Sequence, residues 1–209
     1  MSSRPPCRST TPTSPSGSRC GGNVESFDAD EAGAGAPAGR SPLIVTATLP
    51  PAEQAWLDRL RRAHFPPERN FLAAHVTLFH ALPPFAEEEA RALLARVCAD
   101  HAPPEARLSG VMDLGKGTAF AIECAPLLAL RDDIAEHFHG LLTAQDSHRP
   151  RLHVTVQNKV ERAAARSLQT ALEAGFHPRA FRFAGLALHR YRGGPWEGVA
   201  QCSFRGRGR

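Results

Sequence analysis

The chain has 209 residues, 42% of them hydrophobic, which suits one domain or two small lobes with a proper core. No apolar run approaches the roughly 18 residues a transmembrane helix needs, and the N-terminus lacks the basic start and apolar core of a secretory signal. The formal charge of +4 invites a nucleic-acid partner, but Arg205, Arg207 and Arg209 carry three of those charges in a short tail, so the body is near neutral and charge singles out no ligand.

Five cysteines (Cys7, Cys20, Cys98, Cys124, Cys202) form an odd set with no C-x-x-C pair. That composition points to reduced thiols in a cytoplasm, not to a disulfide framework or a zinc site. Residues 1–41 are rich in Ser, Thr, Pro, Gly and Ala, and four Arg balance four acidic residues. Such a segment cannot bury enough surface to offset its ordering entropy, so a disordered tail is expected there. The folded domain is expected over 42–205, with a basic tail at 206–209.

Order begins with a predicted strand at 43–49, stopped by Pro50-Pro51. A helix over 52–64 follows, with Ala55, Trp56, Leu57, Leu60 and Ala63 on its apolar side and Pro66-Pro67 behind it. The next strand reads Ala74-His75-Val76-Thr77-Leu78-Phe79 and closes at Pro83-Pro84. From 86 to 102 the pattern is helical: Glu87, Glu88 and Glu89 suit the positive N-terminal end, and Leu93, Leu94, Val97 and Cys98 repeat at helical spacing. Two strands, 107–114 and 118–124, then form a hairpin around Gly115-Lys116-Gly117.

That hairpin imitates a phosphate-binding P-loop over Gly110 to Lys116. The next residue should be a magnesium-holding Ser or Thr, and here it is Gly117. The flanks read strand-turn-strand, whereas a P-loop must open a helix. An ordinary hairpin turn is expected.

Pro126 suits the first turn of a helix running to about residue 143. His137 and His139 are two apart on it and make a poor metal pair. Arg149-Pro150-Arg151 leads into Leu152-His153-Val154-Thr155-Val156-Gln157, after which a helix over 161–174 ends at Gly175. Two last strands, 180–191 and 196–204, flank Gly193-Gly194-Pro195. Split near residue 126, each half contains a helix, a His-apolar-Thr strand and another helix.

The two strands repeat one pattern 78 residues apart. Strand side chains alternate faces, so His75 shares a face with Thr77, and His153 with Thr155, while the apolar residues between them enter a core. A lone strand histidine is most often structural, and two half-buried strands whose histidines merely hydrogen-bond is the plain alternative here. Imidazole titrates near pH 6.5, so one histidine can be neutral while another is protonated, supplying a general base and a general acid together. Threonine hydroxyls can donate to non-bridging phosphoryl oxygens where charge accumulates. Phosphodiester transfer or hydrolysis fits this set, with no metal and no nucleotide cofactor. A metallohydrolase fits poorly, because no H-E-x-x-H or carboxylate-bearing cluster accompanies the histidines.

The paired motifs, their separation and the element order resemble the two-histidine phosphoesterase superfamily, especially its bacterial 2'-5' RNA ligase and RNA cyclic phosphodiesterase members. The likeness covers roughly residues 43–204. It implies an α+β fold of two pseudo-symmetric lobes, with antiparallel sheets, flanking helices and the active groove between the lobes. It implies catalysis by His75 and His153, phosphate binding by Thr77 and Thr155, and opening of RNA 2',3'-cyclic phosphates to 2'-phosphates, with 2'-5' ligation in some members.

Secondary candidates come from position. Arg151, two before His153, would share its face and meet a substrate phosphate; Lys159 is in phase but too distant for contact. Tyr191 and Trp196 could stack on a base or pack in the core. His80, out of phase with His75, reads as structural or as a groove-edge residue. A phosphodiesterase of small cyclic nucleotides would use the same four residues, and a non-catalytic RNA-end or nucleotide-binding module would hold phosphate with them. A cytoplasmic monomer with RNA ends or small cyclic phosphodiesters as partners, and no membrane contact, is the expectation. The near-identical motifs do not say which histidine is the base.

Overall fold

The computed structural model describes residues 41–207 together with Met1, so the disorder expected for the N-terminal tail falls outside the described residues. The elements run β1 (Leu43–Thr48), α1 (Pro51–His64), β2 (Val76–Leu82), α2 (Glu87–Asp100), β3 (Glu105–Asp113), β4 (Thr118–Glu123), α3 (Ala125–His137), β5 (His153–Gln157), α4 (Arg162–Ala174), β6 (Arg179–Arg182), β7 (Gly185–Arg190) and β8 (Glu197–Ser203). Short 3-10 turns at Pro67–Arg69 and Pro84–Ala86 precede β2 and α2. The class is α+β.

The strands form two four-stranded antiparallel sheets, ordered β2-β1-β7-β8 and β5-β4-β3-β6. Each takes strands from both halves of the chain, so a cut near residue 126 does not separate the lobes. Each sheet holds one motif strand, in each case at its edge, next to the strand that precedes it by one helix: β1-α1-β2 in one, β4-α3-β5 in the other. Strands β7 and β8 fill the places in the first sheet that β3 and β6 fill in the second. The two motif strands meet across the interface between the sheets. Helix α2 covers β7 and β8, α4 covers β3 and β4, and α1 lies against β5 of the opposite sheet.

Three elements differ from their sequence expectation. The strand expected over 180–191 is two strands in different sheets, because the chain changes partners in one step: Phe183 donates its N–H to Pro104 beside β3, and Ala184 donates to Thr48 at the end of β1. Apolar residues continue through Phe181, Phe183 and the buried strand β7, interrupted by the exposed Arg182 alone, so the pattern carries no mark of the change of sheet. Helix α3 ends at His137, six residues early; Gly140 adopts the left-handed conformation (φ 81°) that closes a helix, and Phe138 plugs the core beneath it. The C-terminal tail is packed one residue further than expected, with Arg205 and Gly206 donating their N–H groups to Cys98 and His101 at the end of α2.

The P-loop-like stretch is the β3–β4 hairpin. Gly117 is required by close approach: a Cβ there would stand 2.4 Å from the carbonyl oxygen of Gln157 in β5.

An edge strand leaves a row of backbone groups without ladder partners. Side chains complete both motif strands. On β2 the buried Asp146 carboxylate accepts from the N–H groups of His80 and Ala81 (both 2.9 Å) and from His80 Nδ1 (3.1 Å). On β5 the Thr155 carbonyl accepts from Arg61 Nη1 of α1 (2.8 Å). Burial raises the pKa of Asp146, but the donated hydrogen bonds from His80 and Ala81 outweigh it and hold the carboxyl below its usual range.

Asp146→Ala leaves buried donors on β2 unanswered and should lower unfolding free energy by about 3 kcal/mol at neutral pH. Because the folded pKa is depressed, the wild type loses this contribution only as pH falls through values below about 4. Denaturant titrations should therefore show the gap between the two proteins narrowing only on the acid side.

Candidate active site

His75 stands immediately before β2, and His153 opens β5. Val76, Leu78, Val154 and Val156 point into the core and are essentially inaccessible, while His75, Thr77, His153 and Thr155 are half-buried on the other side. All four half-buried residues line one cavity of about 380 Å³ between the sheets. The two imidazoles are held alike. His75 Nδ1 donates to the Ala73 carbonyl (2.8 Å) and His153 Nδ1 to the Arg151 carbonyl (2.7 Å), each two residues upstream. A carbonyl can only accept, so Nδ1 carries the proton in each ring. The lone pair of a neutral ring then resides on Nε2.

Beyond this shared bond, His75 has company from the second pair of strands in its sheet. Thr46 of β1 is paired with Thr77 on one side and Ala187 on the other, so His189, two residues beyond Ala187, shares the groove face. The Thr46 hydroxyl is hydrogen-bonded to His189 Nε2 (3.0 Å). Trp196, on the β7–β8 connection, packs between the two imidazoles, with ring centroids 4.7 Å from His75 and 5.4 Å from His189. Burial is the main cause that pushes the His75 pKa down to about 4; the bond to Ala73 opposes it, and the charges of Arg61, His189 and His153 add to it. Burial lowers the His189 pKa as well. His75 is thus neutral at physiological pH.

The cavity wall is strongly basic. Arg61, Arg69, Arg131, Arg149 and Arg151 line it, against the carboxylates of Asp113 and Asp146. Arg61 is only 4% exposed; besides Thr155 it bonds Asn70 Oδ1 (3.0 Å), and its guanidinium lies 4.3 Å over Phe65. Arg131 is also buried, over the Phe79 ring at 4.6 Å, and donates to the Asp146 carbonyl. Asp146 therefore ties β2 and α3 to the segment that carries His148, Arg149 and Arg151 into the groove.

Of the secondary candidates, Arg151 lines the cavity, and its carbonyl orients His153. Trp196 also lines it, with its ring against His75. Tyr191 is 3% exposed, donates its N–H to Pro42 and does not reach the cavity, so it is a core residue and not a stacking surface. His80 is both structural and groove-lining. Leu78 is an extra residue in β2 between the pairs Val45–Phe79 and Thr46–Thr77, and this bulge buries two successive residues and returns His80 to the groove side. Lys159 stands outside the cavity, and His137 pairs with Glu89 on α2.

The sequence reading missed Arg61, Arg131, Asp146 and His189. The two arginines had a signal: each follows a buried leucine (Leu57, Leu127) by four residues and so shares the buried face of its helix. His189 interrupts a strand between buried Leu188 and Arg190 on the same side as Ala187, a weaker sign. Asp146 meets partners 65 and 66 residues away and gave none. Among the described residues no group of three or more His, Cys, Asp or Glu is placed to hold a metal ion, and no helix is long and apolar enough to cross a membrane.

Two antiparallel sheets that present a pair of His-x-Thr strands across a basic cleft define a two-lobed α+β protein with a histidine- and arginine-lined groove. A sequence model of the 2'-5' RNA ligase superfamily matches residues 49–195, and the chain belongs to that superfamily. No curated protein matches. The fold is similar to that of TT0787 of Thermus thermophilus (TM-score 0.55, 19% identity, covering 80% of this chain and 100% of that one). It is similar to E. coli LigT complexed with NADP+ (0.52, 17%, 79% and 98%) and to a structure described as a phosphoesterase (0.50, 16%, 79% and 98%).

Trp196→Ala should let water reach His75 and move its pKa upward from about 4 toward 6.5, read from its imidazole resonances in an NMR titration. The unfolded chain takes up this proton near pH 6.5 and the folded chain does not, so His75 opposes folding increasingly as pH falls from 6.5 toward 4 and contributes nothing above that window. In the variant this acid-side loss of stability should shrink.

Proposed function

We propose that the protein is a phosphodiesterase that opens RNA 2',3'-cyclic phosphate ends to 2'-phosphates. The observation that carries this reading is the matched pair of imidazoles, each fixed through Nδ1 to a carbonyl, in one cavity with Thr77 and Thr155. His75, held neutral, takes a proton from the attacking water through Nε2. Water oxygen bonds to phosphorus, the P–O3' bond breaks, and protonated His153 gives its Nε2 proton to O3'. Thr77 and Thr155 donate to the non-bridging oxygens, and the arginine-lined wall compensates their charge. With a 5'-hydroxyl in place of water as the nucleophile, the same groups would form a P–O5' bond as the P–O3' bond breaks, leaving a 2'-5' linkage and a free 3'-hydroxyl.

Five arginines in the cavity wall favour a phosphate-rich polymer end over a small neutral ester. Superfamily membership supports the reaction class. E. coli LigT, of similar fold, has been crystallised with NADP+, whose adenosine ribose bears a 2'-phosphate like the proposed product. A free 2',3'-cyclic mononucleotide is the second reading, favoured by a cavity volume near the low end for ligand pockets. The reading assigns activity to residues 42–205 of a cytoplasmic protein, consistent with Cys98, Cys124 and Cys202 being free thiols.

The test is hydrolysis of a short RNA ending in 2',3'-cyclic phosphate, in EDTA. Wild type should yield the 2'-phosphate, and His75→Ala and His153→Ala should each lose about 10²- to 10⁴-fold in rate. The acidic limb of kcat/KM should fall near pH 4, where His75 takes up its proton. Activity abolished by chelation, or retained in both variants, would contradict this mechanism.

A further inference from the structure

The same cavity has a feature that a one-nucleotide site would not need. Phe71 lines it and yet is 60% exposed, which places this ring at the mouth. Single exposed apolar residues are ordinary on protein surfaces, so exposure alone means little. Two further observations give it meaning. The first is rigidity of the backbone that bears it. Asn70 accepts from the buried Arg61, the Ala74 N–H donates to Asp58 Oδ1 (2.6 Å), and Gln54 donates to the Ala74 carbonyl (2.9 Å). The ring thus stands on a segment anchored on both sides to α1. That same segment ends in Ala73 and His75, so Phe71 and the imidazole are set relative to each other, with Cα atoms at most about 14 Å apart over four residues.

The second observation is charge. Arg69, two residues before Phe71, and Arg149 also line the cavity and are exposed, Arg149 by 57%. An aromatic face with guanidinium groups at the same opening is the combination that holds single-stranded nucleic acid, bases on the ring and backbone on the charges. The cavity itself, at about 380 Å³, takes one terminal nucleotide. A second nucleotide must lie at its mouth.

We propose that Phe71, with Arg69 and Arg149, forms a subsite for the nucleotide 5' to the reacting end: its base stacks on the phenyl ring and its phosphate faces the guanidinium groups. The subsite makes the enzyme select an RNA end over a free cyclic mononucleotide. This rests on the proposed phosphodiesterase reading and adds the substrate's length to it.

The experiment compares kcat/KM for a trinucleotide ending in 2',3'-cyclic phosphate with that for a nucleoside 2',3'-cyclic monophosphate. Wild type should prefer the trinucleotide by about 5- to 150-fold, the range of one stacked base. Phe71→Leu, which keeps an apolar side chain on an exposed position, should collapse that ratio; Phe71→Trp should keep it. An abasic residue at the penultimate position should cost wild type as much as Phe71→Leu does, and cost the variant nothing more. A wild type without preference, or a Phe71→Leu protein that keeps it, overturns the subsite. If neither substrate is hydrolysed, the proposed reaction fails, and the subsite is judged by binding of a trinucleotide 2'-phosphate against a nucleoside 2'-phosphate. A Phe71-dependent difference in Kd sustains it, and equal Kd values remove it.

Discussion

The two motif strands are edge strands, and the site follows from that constraint. A strand in the middle of a sheet exposes only its faces; an edge also offers a side. With β2 and β5 at the edges of separate sheets, their groove-facing side chains can surround a substrate from two directions. The exposed backbone would invite another strand or collapse onto its counterpart. Asp146 satisfies N–H groups on β2, and Arg61 satisfies a carbonyl on β5, so the edges are closed by side chains that leave the cavity open. The closing groups are charged, and buried charges must be well bonded to be tolerated. Asp146 meets its donors, and Arg61 bonds Asn70 and lies over Phe65 as well as reaching Thr155.

These closures also tie the functional segments together. Arg61 joins α1, the Asn70 turn and β5 through one guanidinium, so the connection leading to His75 and the strand bearing His153 share an anchor. Asp146 does the same on the other side, joining β2 to the segment that ends in Arg151, whose carbonyl orients His153. Preorganisation of this kind is what the proposed proton transfer requires, since donor and acceptor must be in place before charge develops.

How much of this the sequence disclosed depended on whether the signal was local. The alternation around His75 and His153 is local, and the burial of Val76, Leu78, Val154 and Val156 agrees with it. The helices were legible from apolar spacing, except the end of α3, where apolar Leu141 and Leu142 extended the pattern past the glycine that closes it. The bulge in β2 was invisible because period two assumes an unbroken ladder, which misjudged the phase of His80. The β6–β7 exchange was invisible because apolar residues run from the mostly exposed β6 through Phe183 into the buried β7, with no proline or turn cluster where the chain changes sheet. Basic character in the groove was hidden by averaging: the body is near neutral, yet folding brings five arginines from four separate segments to one wall.

The pseudo-symmetry explains why the two motifs match, and its failure explains how His75 comes to lie against Trp196. In one sheet the outer strands β7 and β8 are consecutive, so a short connection joins them and carries Trp196 onto His75. The corresponding strands of the other sheet, β3 and β6, are separated in the chain by β4, α3, β5 and α4. No hairpin connection can exist at that place, and nothing equivalent to Trp196 can be delivered to His153 by the same route. A nearly exact repeat in sequence therefore acquires two different environments from chain connectivity alone. Two identical histidines would titrate together and compete for one role. The proposed mechanism asks for a base and an acid in different environments, and the β7–β8 connection, through Trp196, sets the environment on the His75 side.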